Sequence, residues 1–273
     1  MRFRLALAAC LVSPLAAIAQ DRPADVPIID YYVDHNRYRT DEQMARDVYR
    51  NPAETLAFFG VQPHMTVTEQ LPGWYTEILA PMLAEQGRYI AVNIHPDNYP
   101  DDPPERRARR MAFADRFITY SPMFGEDAQA AFLAGSSHQV EDASVDVALL
   151  FRAMHGMVYS DLTEAVLADY YRMLKPGGVL GIVQHRDDET SGYAATDRRG
   201  YLKQSDVIDM VTKAGFKLLA TSEINANPKD PKTYERGVWT LPPMLTLGEE
   251  NRATYEAIGE SDRMTLKFIK PAN

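Results

Sequence analysis

The sequence predicts an α/β fold in which one mostly parallel sheet is covered by helices on both faces. Short apolar or β-branched segments alternate with helix-length segments along the chain, which is the order of βαβ units. Residues 144–151 (SVDVALLF) are almost continuously apolar, as expected for a strand that is buried on both faces. Because helices that connect successive strands make those strands parallel, we expect a doubly wound sheet.

Composition sets the size and the class of the protein. The chain has 273 residues, of which 45% are hydrophobic and 25% are charged, enough for one sizeable core. We therefore expect a single domain over residues 20–273. The net charge of -9 argues against a nucleic-acid or anionic-membrane partner. No later apolar run is long enough to span a bilayer, and the oligomeric state is not predicted.

The N-terminal residues have the pattern of a signal peptide. Arg2 and Arg4 precede an apolar stretch over residues 5–18, and small residues then surround the expected cleavage point after Ala19. We therefore expect residues 1–19 to be removed and the protein to be periplasmic or secreted.

Cys10 is the only cysteine of the chain, and it lies inside the predicted signal peptide. The exported protein would then contain no disulfide. Residues 7–10 (LAAC) also resemble a lipoprotein box, in which Cys10 would carry the lipid. The apolar segment before Cys10 is shorter than the one that signal peptides usually have, which favours a soluble exported protein over a lipoprotein.

The first elements follow from periodicity and from turn residues. An amphipathic helix is predicted near residues 43–58, and it should bury Met44, Val48, Leu56 and Phe59 on either side of a boundary at Pro52. The next elements are predicted to be a strand at 65–69, a helix at 74–86 and a strand at 88–93. Glu69 ends the first of these strands, and Pro72 and Gly73 form the tight turn that leads into the helix.

The middle of the chain contains a charged, proline-rich stretch at residues 99–110. We expect it to be a solvated loop that leads into a helix at 111–118. A third strand is predicted at 130–133, and the apolar segment at 144–151 is the fourth.

The remaining elements are marked by proline and glycine. A helix at 160–174 ends at Lys175 and the following Pro-Gly-Gly, which turn the chain into a strand at 179–184. The last elements are predicted to be a helix at 204–214, a strand at 216–224 and a strand at 264–269. No crossover helix directly precedes the last strand, so we expect that strand to be antiparallel.

In this order the segments resemble a class I S-adenosylmethionine-dependent methyltransferase. Residues 174–181 (LKPGGVLG) are similar to a frequent segment of that family, just before its fifth strand. Other segments resemble a group of exported bacterial methyltransferase-like proteins: 72–79 (PGWYTEIL), 184–186 (QHR), 222–228 (SEINANP), 237–243 (GVWTLPP) and 258–264 (IGESDRM). The resemblance covers most of residues 50–271. It implies a Rossmann-like, doubly wound, mostly parallel sheet with a last antiparallel strand.

The resemblance also implies where S-adenosylmethionine would bind. The residues concerned follow the first, second and fourth strands: Glu69, Pro72, Gly73, Trp74, Asn93, His95, Asp97, Phe151 and Arg152. Related sequences carry a run of glycines in the first turn, where this chain has Gly73 alone. One alternative is a shortened loop that still binds the cofactor, and the other is an ordinary tight turn in a protein that no longer does.

The end of the second strand departs from the family pattern as well. An acid is expected there to accept hydrogen bonds from the ribose hydroxyls. Asn93 and His95 can also form hydrogen bonds with a hydroxyl, but these bonds are weaker than those of a charged carboxylate. Asp97 follows two residues later, and it is equally well explained as a turn residue after Pro96.

The candidate catalytic residues are His155, His185 and Arg186, which follow the fourth and fifth strands. Because these strands are expected to be neighbours, the two histidines should face one pocket, and one of them is a candidate general base. The alternative is structural: hydrogen-bonded histidines, with Arg186 paired to the acids that follow it. No metal site is predicted, because His95, His155 and His185 do not have ligand spacing.

Two function classes remain open. The first is a methyltransferase that transfers the methyl group of S-adenosylmethionine to a small acceptor in the cell envelope. The second is a catalytically inactive protein of the same fold that binds a periplasmic ligand or partner. A nicotinamide dehydrogenase is disfavoured because the chain has no Gly-x-Gly-x-x-Gly turn. Residues 225–263 are expected either to cap the pocket or to close one edge of the sheet.

Overall fold

The computed structural model describes residues 22–23, 25–115, 121–135 and 138–272. The predicted signal peptide therefore lies outside the described residues. Within the described ranges, none of the helices has the length and apolar character needed to cross a membrane.

Short helices precede the sheet: α1 (Ile28–Asp34), α2 (Asp41–Met44), α3 (Asp47–Arg50) and α4 (Pro52–Phe59). The prediction of one helix over residues 43–58 is wrong. The chain breaks at Asn51, which is left-handed with φ of 39°. Pro52 then occupies the first turn of α4. Proline is tolerated there because the N–H groups of a first turn make no hydrogen bond within the helix.

The break also changes which side chains reach the core. Leu56 and Phe59 of α4 are fully buried, as predicted. Val48 was expected among them, but it is 72% exposed. It lies on α3, a single turn that is separate from α4, so the periodicity of one helix does not carry across Asn51.

The sheet has the order β3-β2-β1-β4-β5-β8-β7, with a short β6 paired to β5. Its strands are β1 (Thr66–Gln70), β2 (Arg88–Ile94), β3 (Gln129–Leu133), β4 (Val145–Phe151), β5 (Leu174–Asp187), β6 (Leu202–Lys203), β7 (Lys217–Ser222) and β8 (Arg263–Ile269). All pairs among β1 to β6 are parallel, whereas β8 is antiparallel to both β5 and β7. The predicted α/β sheet with a last antiparallel strand is confirmed.

Helices lie between the strands: α5 (Thr76–Leu83), α6 (Pro104–Met111), α7 (Met154–Tyr159), α8 (Thr163–Met173), α9 (Gln204–Lys213) and α10 (Arg252–Ile258). Several boundaries differ from the predictions, and two differ by the most. The stretch at 99–110, predicted as a loop, contains most of α6, because Pro103 and Pro104 start that helix. The strand predicted at 179–184 begins earlier, since Leu174 already pairs with Val145 of β4.

Two apolar clusters cover the two faces of the sheet. Along β4, Ala148 and Leu150 belong to one cluster, and Val147 and Leu149 belong to the other. This alternation follows from the two-residue period of a strand. Helices α8 and α9 pack in the first cluster, and α1, α4 and α5 pack in the second. The carboxyl ends of β1, β4 and β5 therefore meet at one edge, where the N-terminal helices and the C-terminal third of the chain also arrive.

Candidate functional site

A pocket of about 320 Å³ lies at the carboxyl ends of β1, β4 and β5. These three strand ends contribute Trp74, Arg152 and His185 to its wall. The N-terminal segment adds Arg50 of α3 and Arg46, which directly precedes α3. The C-terminal third closes the pocket with Val238, Trp239, Pro242, Pro243, Met244, Glu260 and Ser261. The capping role expected of residues 225–263 is thus the one that these side chains have.

Local backbone geometry places Arg152 in the pocket. Arg152 directly follows β4 and is left-handed, with φ of 56°. Its N–H donates to the carbonyl oxygen of Val183 on β5 at 2.7 Å, which holds this turn against the neighbouring strand. The preceding residue, Phe151, stacks on Tyr75 with ring centroids 3.8 Å apart and is buried. The turn after β4 is therefore anchored on both sides.

One carboxylate sits among three guanidinium groups at the edge of the pocket. Glu260 lies 2.7 Å from Arg46, 3.0 Å from Arg50 and 3.1 Å from Arg263. Burial opposes its ionisation, but the nearby Arg263, Arg50 and Arg46 hold the pKa of Glu260 below its usual value. Glu260 is therefore a buried carboxylate anion, and it joins residues that are 210 positions apart in the sequence.

Arg152 differs from these arginines because its charge has no direct partner. Its side chain forms no hydrogen bond or ion pair with any residue that the structure describes. Burial, and then repulsion from Arg263, lowers the pKa of Arg152 to about 10, which still leaves it protonated at neutral pH. Such a group is a strong candidate for binding an anion.

The two candidate histidines lie side by side, with ring centroids 5.6 Å apart. Nδ1 of His185 is 2.6 Å from Oγ of the buried Ser261, and Nδ1 of His155 is 3.3 Å from Nε2 of Gln184. Burial lowers the pKa of His155 to about 4, and burial together with the charges nearby lowers the pKa of His185 well below its usual value. Both imidazoles are therefore neutral at pH 7.

Arg186, the third candidate catalytic residue, is engaged in ion pairs. It lies 2.7 Å from Glu223 and 3.0 Å from Asp262. The acids that follow it in sequence pair elsewhere, Asp187 with Arg199 and Asp188 with Lys232. The predicted pairing of Arg186 with the acids that follow it is therefore wrong: Arg186 is held in ion pairs, but its partners come from distant segments.

The first turn, where the cofactor would bind, has most of its polar groups occupied. Glu69 is buried and accepts hydrogen bonds from the hydroxyls of Thr76 and Tyr89, each at 2.7 Å. Burial raises the pKa of Glu69 to about 7. The N–H of Gly73 donates to Oγ1 of Thr76 at 2.7 Å. At Leu71 the backbone is left-handed, with φ of 54°, and the side chain is 50% exposed.

Space is nevertheless present at this turn. A Cβ placed on Gly73 would be in ordinary contact with the carbonyl oxygen of Leu71 at 3.7 Å, so there is room for a small group beside this glycine. Backbone without a Cβ is what allows close approach to a cofactor. The turn thus leaves room beside Gly73, but most of its polar groups are already hydrogen-bonded within the protein.

The end of β2 forms local contacts. The side-chain oxygen of Asn93 accepts from the N–H of Ile94 at 2.8 Å, and Nδ1 of His95 accepts from the N–H of Asp97 at 3.2 Å. Asp97 also pairs with Arg107 of α6. These three predicted residues therefore lie apart from the pocket walls. Among the described residues, no group of three or more His, Cys, Asp or Glu side chains is arranged to hold a metal ion.

Sequence reasoning names some of the residues that the structure brings together and misses others. Trp74, Arg152 and His185 line the pocket. The ring of His155 lies against the ring of Trp239, with centroids 6.0 Å apart. Arg46 and Arg50 were not predicted. Their separation of four residues is that of one helix face, but nothing in the sequence shows that this face meets a carboxylate near the C-terminus.

Comparisons with known proteins give a structural match only. No protein-family model matches the chain, and no curated protein matches it either. A methyltransferase from Aquifex aeolicus that is described as SAM-dependent superimposes with a TM-score of 0.52 at 14% identity, covering 83% of this chain and 93% of its own. The chain has the class I methyltransferase fold.

Two further structures of this fold extend the comparison. Geranyl diphosphate methyltransferase in complex with SAM has a TM-score of 0.51 at 11% identity, covering 92% of this chain and 94% of its own. The [4+2]-cyclase SpnF has a TM-score of 0.53 at 15% identity, covering 88% of this chain and 86% of its own. At such low identities the likeness concerns the fold, and the chemistry has to be argued from the site.

Proposed function

We propose that the protein is a methyltransferase that uses S-adenosylmethionine to methylate a small acceptor. One observation carries the proposal: the pocket at the carboxyl ends of β1, β4 and β5 contains a neutral histidine, His185, beside the cationic Arg152. In an open α/β sheet, ligands bind beyond the carboxyl ends of the strands. On this fold, the first turn and the pocket would hold the cofactor and the acceptor next to each other.

S-adenosylmethionine supplies an electrophilic methyl group when it is bound. On this chain, the backbone at Gly73 and the polar side chains of Asn93 and His95 are the groups that would hold it. The pocket would then hold the acceptor in one orientation, which is the main requirement of methyl transfer.

His185 would assist by accepting a proton from the acceptor. When Nδ1 of His185 donates its hydrogen to Oγ of Ser261, 2.6 Å away, Nε2 keeps a free lone pair. Because the pKa of His185 is lowered, it is a weak base. A weak base suffices when the acceptor is already acidic or anionic.

A second candidate function is ligand binding without catalysis. The specific observation in its favour is the first turn, where Leu71 stands in a left-handed conformation and the carboxylate of Glu69 is already bonded to Thr76 and Tyr89. The cyclase among the structural neighbours carries a name from another reaction class, so the fold itself does not select methyl transfer.

We also propose that the protein acts in the cell envelope after removal of residues 1–19. The support is the pattern of Arg2, Arg4 and the apolar stretch at 5–18. Mass spectrometry of the protein recovered from a periplasmic extract should give an N-terminus at Gln20. Recovery of the intact chain from the cytoplasmic fraction alone would contradict this assignment.

Calorimetric titration of the mature protein with S-adenosylmethionine and S-adenosylhomocysteine tests the cofactor. We expect saturable binding of both, and a loss of about tenfold or more in Gly73→Val, because the new side chain would occupy the space beside the turn that the cofactor needs. Gly192→Val is the matched control, since Gly192 is exposed and also has open space around it. No binding at millimolar ligand would reject methyl transfer and leave the second candidate.

A further inference from the structure

We propose that the pocket binds a small organic anion whose charged group pairs with Arg152 and whose apolar body lies against Trp239. The inference deepens the proposed function, and it rests on that function where the anion is taken to be the methyl acceptor. Binding of the anion itself does not need the cofactor, so the two ideas can fail separately.

The first argument is the balance of charge. Arg46, Arg50 and Arg263 surround a single carboxylate, Glu260, and Arg152 adds a fourth guanidinium to the same region. Both histidines are neutral at pH 7. The protein as a whole carries a net charge of -9, so this strongly cationic pocket runs against the charge of the rest of the chain. A negative ligand is favoured here, and a cationic ligand is excluded by repulsion.

The second argument is that donors remain without acceptors. The guanidinium of Arg152 has no hydrogen-bond or ion-pair partner among the described residues. Nη2 of Arg46 is buried and lies 2.7 Å from Glu260, but its angle is not that of a hydrogen bond. Because the side chain of Arg152 is only partly buried, an incoming ligand can reach it, and a carboxylate or phosphate would give its free N–H groups an acceptor. Guanidinium groups bind both of these anions through paired hydrogen bonds.

The third argument concerns the body of the ligand. The part of the wall that the C-terminal third contributes is largely apolar, with Val238, Trp239, Pro242, Pro243 and Met244. A volume of about 320 Å³ is at the small end of ligand pockets. The pocket therefore suits a small molecule with one anionic group and a compact apolar or aromatic part, and it is too small for a polymer.

Three probes that share a phenyl ring test the effect of the charged group separately from that of the apolar body: benzoate, phenyl phosphate and the neutral benzamide. Each is titrated calorimetrically into the mature protein, without S-adenosylmethionine. We expect benzoate or phenyl phosphate to bind in a saturable way, with affinity that falls as salt is added. Benzamide should bind about tenfold more weakly or worse. The stronger of the two anions identifies the charged group as carboxylate or phosphate.

Two variants locate the site. Arg152→Gln should weaken binding of the preferred anion by about 10- to 100-fold. Arg109→Gln removes the same charge from an exposed position on α6 and should leave binding unchanged. Circular dichroism and thermal unfolding of both variants establish that they are folded.

Two results would overturn the proposal. One is equal binding of the anion to the wild type and to folded Arg152→Gln, and the other is no binding of either anion. Anion binding together with failure of S-adenosylmethionine to bind would retain this inference and reject methyl transfer. Binding of S-adenosylmethionine without binding of either anion would retain the cofactor and reject the anionic ligand.

Discussion

Arg152 carries a charge at a position where folding gains little from it. Its guanidinium is partly buried and unpaired among the described residues. We expect Arg152→Met to raise the free energy of unfolding by about 1–3 kcal/mol, because the desolvated charge is replaced by an apolar side chain. The same variant should lose anion binding. Urea unfolding of the mature protein measures the first effect, and calorimetry measures the second.

Arg186→Met is the matched control for Arg152→Met. Arg186 is paired with Glu223 and Asp262, so its replacement leaves the buried Asp262 with fewer partners and should lower stability. A loss of stability in Arg152→Met as large as that in Arg186→Met would show that Arg152 is needed for the fold.

Glu69 makes stability depend on pH, with a definite sign. Burial raises its pKa from 4.5 to about 7, so between these values the folded state binds more protons than the unfolded state. The contribution of Glu69 to stability is therefore present at low pH and lost as the pH rises through 7. Glu69→Gln keeps an oxygen that can accept from Thr76 and Tyr89 but has no charge. The free energy of unfolding of Glu69→Gln, relative to that of the wild type, should therefore rise by about 1–3 kcal/mol between pH 5 and pH 8.

Urea unfolding at the two pH values tests this, with Glu54→Gln as the control at an exposed site on α4. The comparison with Glu69→Gln is needed because His155 acts in the opposite direction. Burial lowers the pKa of His155 to about 4, so its contribution is lost as the pH falls from about 6.5 towards 4. If the free energies of unfolding of Glu69→Gln and the wild type differ by the same amount at pH 5 and at pH 8, Glu69 is ionised in the folded state at both pH values.

At the scale of elements, the turn between β1 and α5 is the one that departs from a glycine-rich loop. Leu71 holds a left-handed backbone there, which glycine adopts without strain. We expect Leu71→Gly to stabilise the protein by about 0.5–1 kcal/mol and, by removing a half-exposed side chain, to strengthen binding of S-adenosylmethionine. Thermal unfolding and calorimetric titration are the measurements.

Ala143→Gly isolates the backbone effect of that change. Ala143 is left-handed as well, with φ of 50°, and is exposed away from the pocket. The variant Ala143→Gly should be more stable than the wild type and should bind S-adenosylmethionine with unchanged affinity. If Leu71→Gly is less stable than the wild type and binds no better, the turn is adapted to leucine and the shortened loop is not what limits the cofactor.

The strands are predictable because their signals are local. The continuous apolar run of β4 and the β-branched residues of β1 depend on neighbours in the sequence, and the helices between the strands make most of them parallel. The break at Asn51 is harder to predict, because a single left-handed residue divides one amphipathic pattern into α3 and α4. The start of α6 was hidden for a similar reason, since high charge indicates solvent exposure but does not distinguish a loop from an exposed helix.

At the scale of the whole molecule, Glu260 joins the two ends of the described chain. It pairs with Arg46 and Arg50 on the N-terminal side and with Arg263 of β8. Sequence reasoning cannot find this contact, because it depends on how segments 210 residues apart meet at one edge of the sheet. The pocket was therefore predictable at its strand ends and not at its N-terminal wall.

We expect Glu260→Gln to lower the free energy of unfolding by about 3–5 kcal/mol, since it leaves buried guanidinium groups without a counter-charge. Glu256→Gln is the matched control. Glu256 pairs with Arg252 at 2.8 Å, but its side chain is 49% exposed, so its loss should cost about 0–1 kcal/mol. Urea unfolding compares the two, and equal small losses would mean that the cluster around Glu260 adds nothing to the fold.

The contribution of Arg50 to the pocket wall has a consequence for how occupancy can be observed. Any local opening that moves α3 away from the sheet also dismantles the pocket, so a bound ligand and an opened α3 exclude each other. Ligand should therefore slow hydrogen–deuterium exchange of the amides of Asp47–Arg50 in proportion to its saturation of the pocket. The backbone of this one helical turn would then report binding of a ligand that touches only its side chains.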